Sequence, residues 1–201
     1  MYLIRGQHNL KLFKSRHPNV LLSGTIGNFD GLHLGHQAIL EKIKNNAQKY
    51  NAKTIVFFTE PHAAEYFSKV RDKNQIPPPR ICPWREKFQL LKKSKIDFAC
   101  FLKFNSKLRT MSPDDFISQI LDSINLVSFT VGDDFRFGAG RKGDTDLLKN
   151  WGEKKGILVE NTETITLDGQ RVSSTRIREE LLNNNFNCLL YTSPSPRDYP
   201  G

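Results

Sequence analysis

Two kinds of hydrophobic pattern alternate along this chain of 201 residues. Residues 20–27 are strand-like, and residues 34–50 carry apolar side chains at every fourth position, which is typical of one face of a helix. The same order repeats further along the chain. Strands are predicted at residues 54–58, 98–104, 129–132 and 157–160, and helices at residues 85–93, 112–124, 146–154 and 174–183.

This alternation predicts an α/β fold with a Rossmann-like, doubly wound and mostly parallel sheet. Ligands of such sheets bind beyond the carboxyl ends of the strands, so a functional site is expected in the loops after residues 27, 58 and 131. The proline-rich residues 74–83 are interpreted as an extended surface loop. One domain is predicted at residues 1–186, followed by a disordered or non-native tail at residues 187–201.

Composition and charge narrow the class of protein. With 38% hydrophobic and 25% charged residues, the chain has the composition of a globular protein. The cysteines Cys82, Cys100 and Cys188 form no Cys-x-x-Cys pair, so a reducing compartment fits better than a zinc cluster or a disulfide framework. The sequence shows no signal peptide and no run of roughly 20 apolar residues, which predicts a cytoplasmic protein without a membrane partner. The formal net charge of +9 favours an anionic partner, either a nucleotide or a nucleic acid.

A glycine-rich loop follows the first predicted strand and leads into a helix. Residues 24–36 read Gly-Thr-Ile-Gly-Asn-Phe-Asp-Gly-Leu-His-Leu-Gly-His. Glycines let a ligand approach the backbone, and free N–H groups at a helix start attract phosphate. His33 and His36 share one helix face, where both can donate hydrogen bonds to a polyphosphate, and Gly35 leaves room for a nucleotide. The alternative is a solvated helix face beside an ordinary tight turn.

A second candidate phosphate site opens the last predicted helix. Residues 171–178 read Arg-Val-Ser-Ser-Thr-Arg-Ile-Arg, with hydroxyl groups at the helix start and guanidinium groups nearby. Alone, this segment is better explained as a Ser/Thr cap beside basic surface residues. Two such sites in one chain support each other as a pair of clamps on one nucleotide.

The two segments together resemble the nucleotidylyltransferase superfamily, which carries His-x-Gly-His early and Ser-Ser-Thr-x-x-Arg late. Over residues 1–186 the chain more closely resembles the adenylyltransferase module of the bacterial bifunctional riboflavin kinase/FMN adenylyltransferases. The resemblance rests on Gly-Asn-Phe-Asp-Gly (27–31), Phe-Thr-Glu-Pro-His (58–62), Pro-Arg-Ile (79–81), Glu-Lys (86–87), Val-Gly-Asp-Asp-Phe-Arg-Phe-Gly (131–138) and residues 171–178, all in the family's order.

The resemblance implies transfer of the adenylyl group of ATP to FMN, which gives FAD and pyrophosphate, with Mg²⁺ entering alongside ATP. It implies catalytic roles for His33, His36 and Arg178. It implies ATP contacts for Gly27, Phe29, Gly35, Arg171, Ser174 and Thr175. It also implies that Asp134 binds substrate, although a turn carboxylate bonded to its own backbone is an equally good interpretation. Arg176 falls at a variable position of the family.

Two further groups of residues are candidates for binding FMN. Arg141 or Lys142, in a basic glycine-rich loop, suits the FMN phosphate, and the alternative is a solvated charged loop. Phe57, Phe58 and Phe67 are candidates for an apolar wall against the isoalloxazine ring, although Phe57 is assigned to the core.

Two departures from the family pattern and two other functions have to be weighed. Ala63 stands where the family commonly has proline, and no riboflavin kinase module follows residue 186, so no kinase activity is expected.

Two alternative functions are open. One is an adenylyltransferase for another phosphorylated small molecule, against which the Phe-Asp-Gly and Gly-Asp-Asp-Phe motifs argue. The other is a non-catalytic basic nucleic-acid-binding protein, against which the scattering of positive charge among acidic residues argues. ATP and FMN are therefore the expected partners, with no nucleic acid and no assigned protein ligand for Mg²⁺.

Overall fold

The computed structural model describes residues 1–71 and 76–186. The strands are β1 (Tyr2–Arg5), β2 (Leu22–Ile26), β3 (Lys53–Glu60), β4 (Phe98–Lys103), β5 (Leu126–Gly132), β6 (Leu158–Thr162), β7 (Thr166–Leu167) and β8 (Gln170–Arg171). The helices are α1 (Gly6–Arg16), α2 (Leu34–Lys49), α3 (Ala63–Arg71), α4 (Trp84–Lys93), α5 (Ser106–Thr110), α6 (Pro113–Phe116), α7 (Thr145–Lys155) and α8 (Ser174–Leu182).

Six strands form one parallel sheet in the order β1-β4-β3-β2-β5-β6, while β7 and β8 form a small antiparallel hairpin. This confirms the predicted Rossmann-like, doubly wound α/β fold. The strand β2 pairs with β3 on one side and with β5 on the other, so the strand order reverses between β2 and β5. A reversal of this kind opens a crevice at the carboxyl ends of the strands, where ligands bind.

The sheet separates two hydrophobic cores, and β3 contributes to both. Ile55 and Phe57 belong to the core that contains side chains of α1 and α7, whereas Val56 and Phe58 belong to the core that contains side chains of α2 and α4. All four side chains are fully buried. Successive residues of a strand point to opposite faces, so a central parallel strand covered on both faces is apolar throughout.

Several elements differ from the sequence-based prediction. The strands β1, β7 and β8 and the helices α1, α3 and α5 were not predicted, and the helix predicted at residues 112–124 is shorter. It begins as predicted, because the Ser112 hydroxyl accepts a hydrogen bond of 3.0 Å from the Asp115 N–H. After α6, however, the backbone continues as a π-helical turn, Ile117–Leu121, in which the Asp122 N–H bonds to the Ile117 carbonyl.

Two predictions fall partly or wholly outside the described residues. The predicted tail at residues 187–201 is one, and residues 74–75 of the predicted proline-rich loop are the other. Residues 76–83 of that loop contain no helix or strand, as expected. Among the helices of the described ranges, none is long and apolar enough to cross a bilayer.

Candidate active site

A polar cavity of about 330 Å³ opens beyond the carboxyl ends of β2, β5 and β6, where the strand order reverses. The glycine-rich loop and the start of α2 form one wall, the turn after β5 a second, and the segment that leads into α8 a third. The polar residues in these walls include His33, His36, Asp133, Asp134, Arg171, Ser173 and Ser174. Two distant segments that the sequence marked as phosphate sites therefore face one cavity.

The glycine-rich loop follows an unusual backbone path. Phe29 and Leu32 adopt φ angles of 47° and 40°, in the left-handed region that residues with side chains rarely occupy. Both side chains are fully buried in the core beneath α2, which holds the loop in this conformation. Phe29 lies in the lining of the polar cavity, but its fully buried side chain mainly supports the loop from below. A Cβ on Gly27 would lie 3.1 Å from that ring, so a larger residue there requires the Phe29 ring to shift by a few tenths of an ångström.

The two histidines lie together in the cavity wall. Their rings stack with centroids 3.7 Å apart, and the His36 ring also packs at 4.9 Å from Phe29. The Nδ1 atoms of both histidines are buried and have no hydrogen-bond partner within the described chain. A Cβ on Gly35 would lie 3.2 Å from Nδ1 of His33, so Gly35 makes room for the imidazole as well as for a ligand.

Both imidazoles are neutral at neutral pH. Burial and, to a smaller extent, the positive charge of Arg171 lower the pKa of His33 to about 4, although Asp30 opposes the shift. Burial, His33 and Lys87 together lower the pKa of His36 well below its ordinary value. In the free protein the pair therefore consists of neutral imidazoles, each with one N–H group to donate.

The start of α8 forms the opposite wall. The Ser173 hydroxyl caps the helix by accepting a hydrogen bond of 3.2 Å from the Arg176 N–H. The Ser174 hydroxyl donates to the Asp30 carbonyl at 2.8 Å, which joins α8 to the glycine-rich loop. Ser173 and Ser174 line the cavity, whereas Thr175 is exposed and does not. Of the two predicted hydroxyl ligands, Ser174 therefore lies in the cavity wall and Thr175 does not.

Arg178 lies behind this wall. Its Nη2 atom is 2.5 Å from Oδ2 of Asp30, and its Nε donates to the Pro79 carbonyl at 2.7 Å. The Asp30 carboxylate is almost completely buried and also accepts the N–H groups of Ile81 and Cys82. Arg178 therefore occupies an ion pair in the free protein and has to turn away from it to reach a phosphate.

Two other predicted site residues pair with each other at the cavity mouth. Arg171 Nη2 lies 2.8 Å from Oδ2 of Asp134 and 3.6 Å from Oδ1 of Asp133. Asp134 therefore pairs with Arg171, which belongs to another segment of the chain. The side chains of Arg171 and Asp134 are 47% and 65% exposed, so water screens the pair and it breaks at little cost.

Arg176 has a structural role at the start of the last helix. Its Nη1 donates to the carbonyls of Leu167 and Gln170, at 3.2 and 3.3 Å. Its guanidinium also lies near Glu180, one turn further along α8. Arg176 thereby ties the hairpin of β7 and β8 to α8 and does not line the cavity.

A second, more apolar cavity of about 570 Å³ adjoins the first. Its aromatic lining residues are Phe67, Phe104, Phe116, Phe135 and Phe137. The residues that line both cavities are Ile26, Asn28, Phe135, Arg136 and Arg141. The two cavities therefore meet at the glycine-rich loop and at the turn after β5.

Only part of the predicted aromatic wall faces this second cavity. Phe67 lines it, as predicted. Phe57 belongs to the core, also as predicted. The prediction for Phe58 was wrong, because its side chain is fully buried with its ring 4.2 Å from that of Phe101. It follows Phe57 on a strand whose two faces are both covered.

Sequence reasoning missed the contacts of two cationic residues, Arg80 and Lys87. Arg80 bridges two carboxylates, with Nη2 at 2.7 Å from Glu60 Oε1 and 2.6 Å from Glu65 Oε2. Lys87 is buried beneath the loop. The only signal for these residues was their place in the segments that carry the family resemblance, since charged side chains far apart in sequence give no periodic pattern.

Comparison with known proteins identifies the family. Residues 15–176 match the family described as FAD synthetase. The chain belongs to the FAD synthetase family. The chain is 39% identical, over 187 residues, to the bifunctional riboflavin kinase/FMN adenylyltransferase of Escherichia coli strain K12. The match covers 92% of the chain and 57% of that protein, so the chain spans a little over half the length of its curated relative.

Two solved structures share the fold of this FAD synthetase family chain. A crystal structure described as a macrolide-efflux protein from Streptococcus pneumoniae matches with a TM-score of 0.74 at 22% identity. The match covers 92% of this chain and 58% of the chain in that structure. Pantoate-beta-alanine ligase from Francisella tularensis has a TM-score of 0.58 at 13% identity, covering 92% and 77%. At these identities the likeness concerns the fold alone.

Four expectations stay predictions. They are the roles of the site residues, the cytoplasmic location, the absence of kinase activity and the absence of nucleic-acid partners.

Proposed function

We propose that this chain transfers the adenylyl group of ATP to FMN, which gives FAD and pyrophosphate. The observation that carries the proposal is the pair of adjoining cavities at the carboxyl edge of the sheet. One is polar and built around His33, His36 and the start of α8, which suits a triphosphate. The other is walled by phenylalanines and has arginines at the junction, which suits a flat ring system that carries one phosphate.

The chemistry needs no protein nucleophile. An oxygen of the FMN phosphate attacks the α-phosphorus of ATP, a new P–O bond forms there, and the bond to the oxygen that bridges the α- and β-phosphates breaks. Pyrophosphate leaves with the electron pair of the broken bond. The protein contributes by holding the two reactants in line and by donating hydrogen bonds to the charge that develops on the leaving group. His33 and His36 supply such donors as neutral imidazoles.

The two arginines of the proposed clamp change partners when ATP binds. Arg171 leaves Asp134 and Arg178 leaves Asp30, so each guanidinium exchanges a carboxylate for phosphate oxygens. Ser174, which lines the cavity, then offers its hydroxyl and backbone N–H groups from the helix start. Asp134, released from Arg171, is free to contact a substrate from the cavity wall that it already lines.

Magnesium fits this site as an ion that arrives with ATP. Among the described residues, no group of three or more His, Cys, Asp or Glu side chains is placed to hold a metal ion. Asp133, Asp134 and the exposed Glu163 are the carboxylates in the wall of the polar cavity, and one or two carboxylates suffice for an ion that retains much of its water and binds phosphate oxygens. When bound, Mg²⁺ neutralises part of the charge on the triphosphate.

The experiment that tests the proposal is incubation of the purified chain with ATP, MgCl₂ and FMN, followed by chromatographic measurement of FAD and pyrophosphate. Equal amounts of both products are expected. Tight ATP binding with adenylylation of a non-flavin acceptor only would contradict the choice of FMN. Salt-sensitive binding of random DNA together with no binding of ATP would support the nucleic-acid alternative instead.

Arg141 provides a specific test of the FMN cavity. Its guanidinium-bearing side chain lines both cavities where they meet, so we expect it to contact the FMN phosphate. Arg141→Gln is expected to raise the KM for FMN by about tenfold or more and the KM for ATP by less than about threefold, since a hydrogen bond to a charged group contributes roughly 1.5–3 kcal/mol. Steady-state kinetics with each substrate varied in turn measures both constants.

The matched control is Lys142→Gln. Lys142 is the next residue, is also exposed and cationic, and lines neither cavity. Its replacement is expected to change both KM values by less than about twofold, because an exposed side chain that lines neither cavity makes no direct contact with either substrate. Equal effects of the two substitutions on the KM for FMN would mean that the basic loop acts only through its overall charge.

A further inference from the structure

A lysine is buried beneath the glycine-rich loop. Lys87 lies on α4, one turn from its start, and only 4% of its surface is exposed. Lysine is among the residues least often buried, because removing its ammonium group from water is costly unless other groups compensate. A buried lysine beside a ligand cavity therefore calls for an explanation from its surroundings.

The ammonium group of Lys87 is held by a backbone carbonyl. Its Nζ atom donates to the Asn28 carbonyl oxygen at 2.5 Å and lies 5.1 Å from the centre of the Phe58 ring. Burial lowers the pKa of Lys87, while the carboxylates of Asp30 and Glu60 act in the opposite direction. The carbonyl, the ring face and the two carboxylates together compensate the buried charge.

The carbonyl that Lys87 binds belongs to the residue between the two cavities. Asn28 lines both the polar cavity and the phenylalanine-walled cavity. It also precedes Phe29, whose left-handed backbone conformation requires support from its surroundings. A change in the Asn28 peptide would move the boundary at which the two proposed substrates meet.

We propose that Lys87 is a positioning residue for adenylyl transfer, because its buried ammonium group fixes the Asn28 peptide and thereby the alignment of the two cavities. The inference rests on the proposed function, since it assigns the cavities to ATP and FMN. Lys87 lines neither cavity and touches no reacting atom. Its effect is on the alignment of the FMN phosphate with the α-phosphorus, and a displacement of about 1 Å costs roughly a hundredfold in rate.

The test compares Lys87→Met, Lys87→Arg and Lys92→Met. Lys87→Met keeps a long side chain but removes the donor, and it is expected to lower kcat for FAD formation by about a hundredfold while both KM values change by less than about tenfold. Lys87→Arg retains a cationic donor for the Asn28 carbonyl and is expected to recover at least about tenfold of that loss. Lys92, exposed on the same helix, is the matched control, and its replacement by Met is expected to leave kcat within about twofold.

A thermal melt separates positioning from folding. Lys87→Met leaves the Asn28 carbonyl without its donor, but the Asp30 and Glu60 carboxylates keep Arg178 and Arg80 as partners, so the variant is expected to melt within about 10 °C of the wild type. A kcat within about threefold of the wild type in the folded Lys87→Met protein would overturn the inference. If Lys87→Met does not fold, Lys87→Arg decides: a folded protein with kcat within about tenfold of the wild type supports the inference, and a hundredfold loss overturns it.

Failure of this inference and failure of the proposed function give different results. A wild-type chain that forms no FAD from ATP and FMN would overturn the proposed function. A wild-type chain that forms FAD, with Lys87→Met equally active, would leave the proposed function standing and remove Lys87 from it.

Discussion

The His36→Ala variant is expected to lower kcat for FAD formation by about a hundredfold or more, while ATP binding weakens by less than about tenfold. The His36 ring is held between the rings of His33 and Phe29 in the wall of the polar cavity. Its low pKa keeps it neutral, so it offers a preorganised N–H donor. Loss of one such donor typically costs about 3 kcal/mol in the transition state, whereas the ground state keeps its other contacts. Steady-state kinetics and calorimetric titration with ATP measure the two effects separately.

The control for this variant is His8→Ala, on the exposed surface of α1, which is expected to keep kcat within about twofold. A thermal melt of His36→Ala is expected to stay within about 5 °C of the wild type, because a partly buried histidine at a helix start contributes little to the core. Near-normal turnover in a stable variant would mean that His36 only packs against His33 and Phe29 in the cavity wall and donates nothing to the transition state. A collapsed melt would make it a structural residue.

The central elements of the fold were predictable because their patterns are local. In β3 every residue from Thr54 to Phe58 is buried, which produces the continuous apolar and β-branched run of a central parallel strand. In α2 the apolar positions recur every fourth residue and face one core. The order of these elements along the chain then fixes a doubly wound sheet, since parallel strands need crossover connections.

The first strand and helix escaped prediction because little of either is buried. In β1 only Ile4 is buried, since this strand lies at the edge of the sheet and pairs with β4 alone. In α1 only Leu10 and Phe13 are buried, and the helix begins at a glycine with a positive φ and no side-chain cap. A single pair of apolar residues three positions apart is too weak a periodic signal to identify a helix of this length.

The residues of the candidate site also fall into a group that the sequence predicted and a group that it did not. His33, Gly35, His36 and Ser174 lie in short segments at helix starts, where the chemistry can be read locally, and the structure brings all four to one cavity. The partners of the charged residues could not be predicted, because each pairing joins separate parts of the chain. Arg178 and Asp30, for example, are 148 positions apart, and only the packing of α8 against the glycine-rich loop brings them together.

Asp30→Ala is expected to have the largest effect on stability. The Asp30 carboxylate is 3% exposed and links three parts of the chain, since it accepts the N–H groups of Ile81 and Cys82 and pairs with Arg178. Its removal leaves a mostly buried guanidinium without its counter-ion and two N–H groups without an acceptor. Loss of one partner of a buried ion pair costs about 3–5 kcal/mol, so the Tm is expected to fall by roughly 10 °C. Differential scanning calorimetry at neutral pH measures the change.

Asp146→Ala is the matched control, because it makes the same substitution at an exposed carboxylate in the first turn of α7. Only a favourable interaction with the helix dipole is lost there, about 0.3–1 kcal/mol, so the Tm is expected to fall by less than about 4 °C. The two variants differ in burial and in partners, and their comparison isolates the contribution of the Asp30 contacts. If the Tm of Asp30→Ala falls by no more than that of Asp146→Ala, then the ion pair with Arg178 makes no net contribution to the stability of the fold. Asp30 would then serve only to hold Arg178 away from the cavity until a nucleotide binds, and its loss would appear in ATP affinity instead of in the melt.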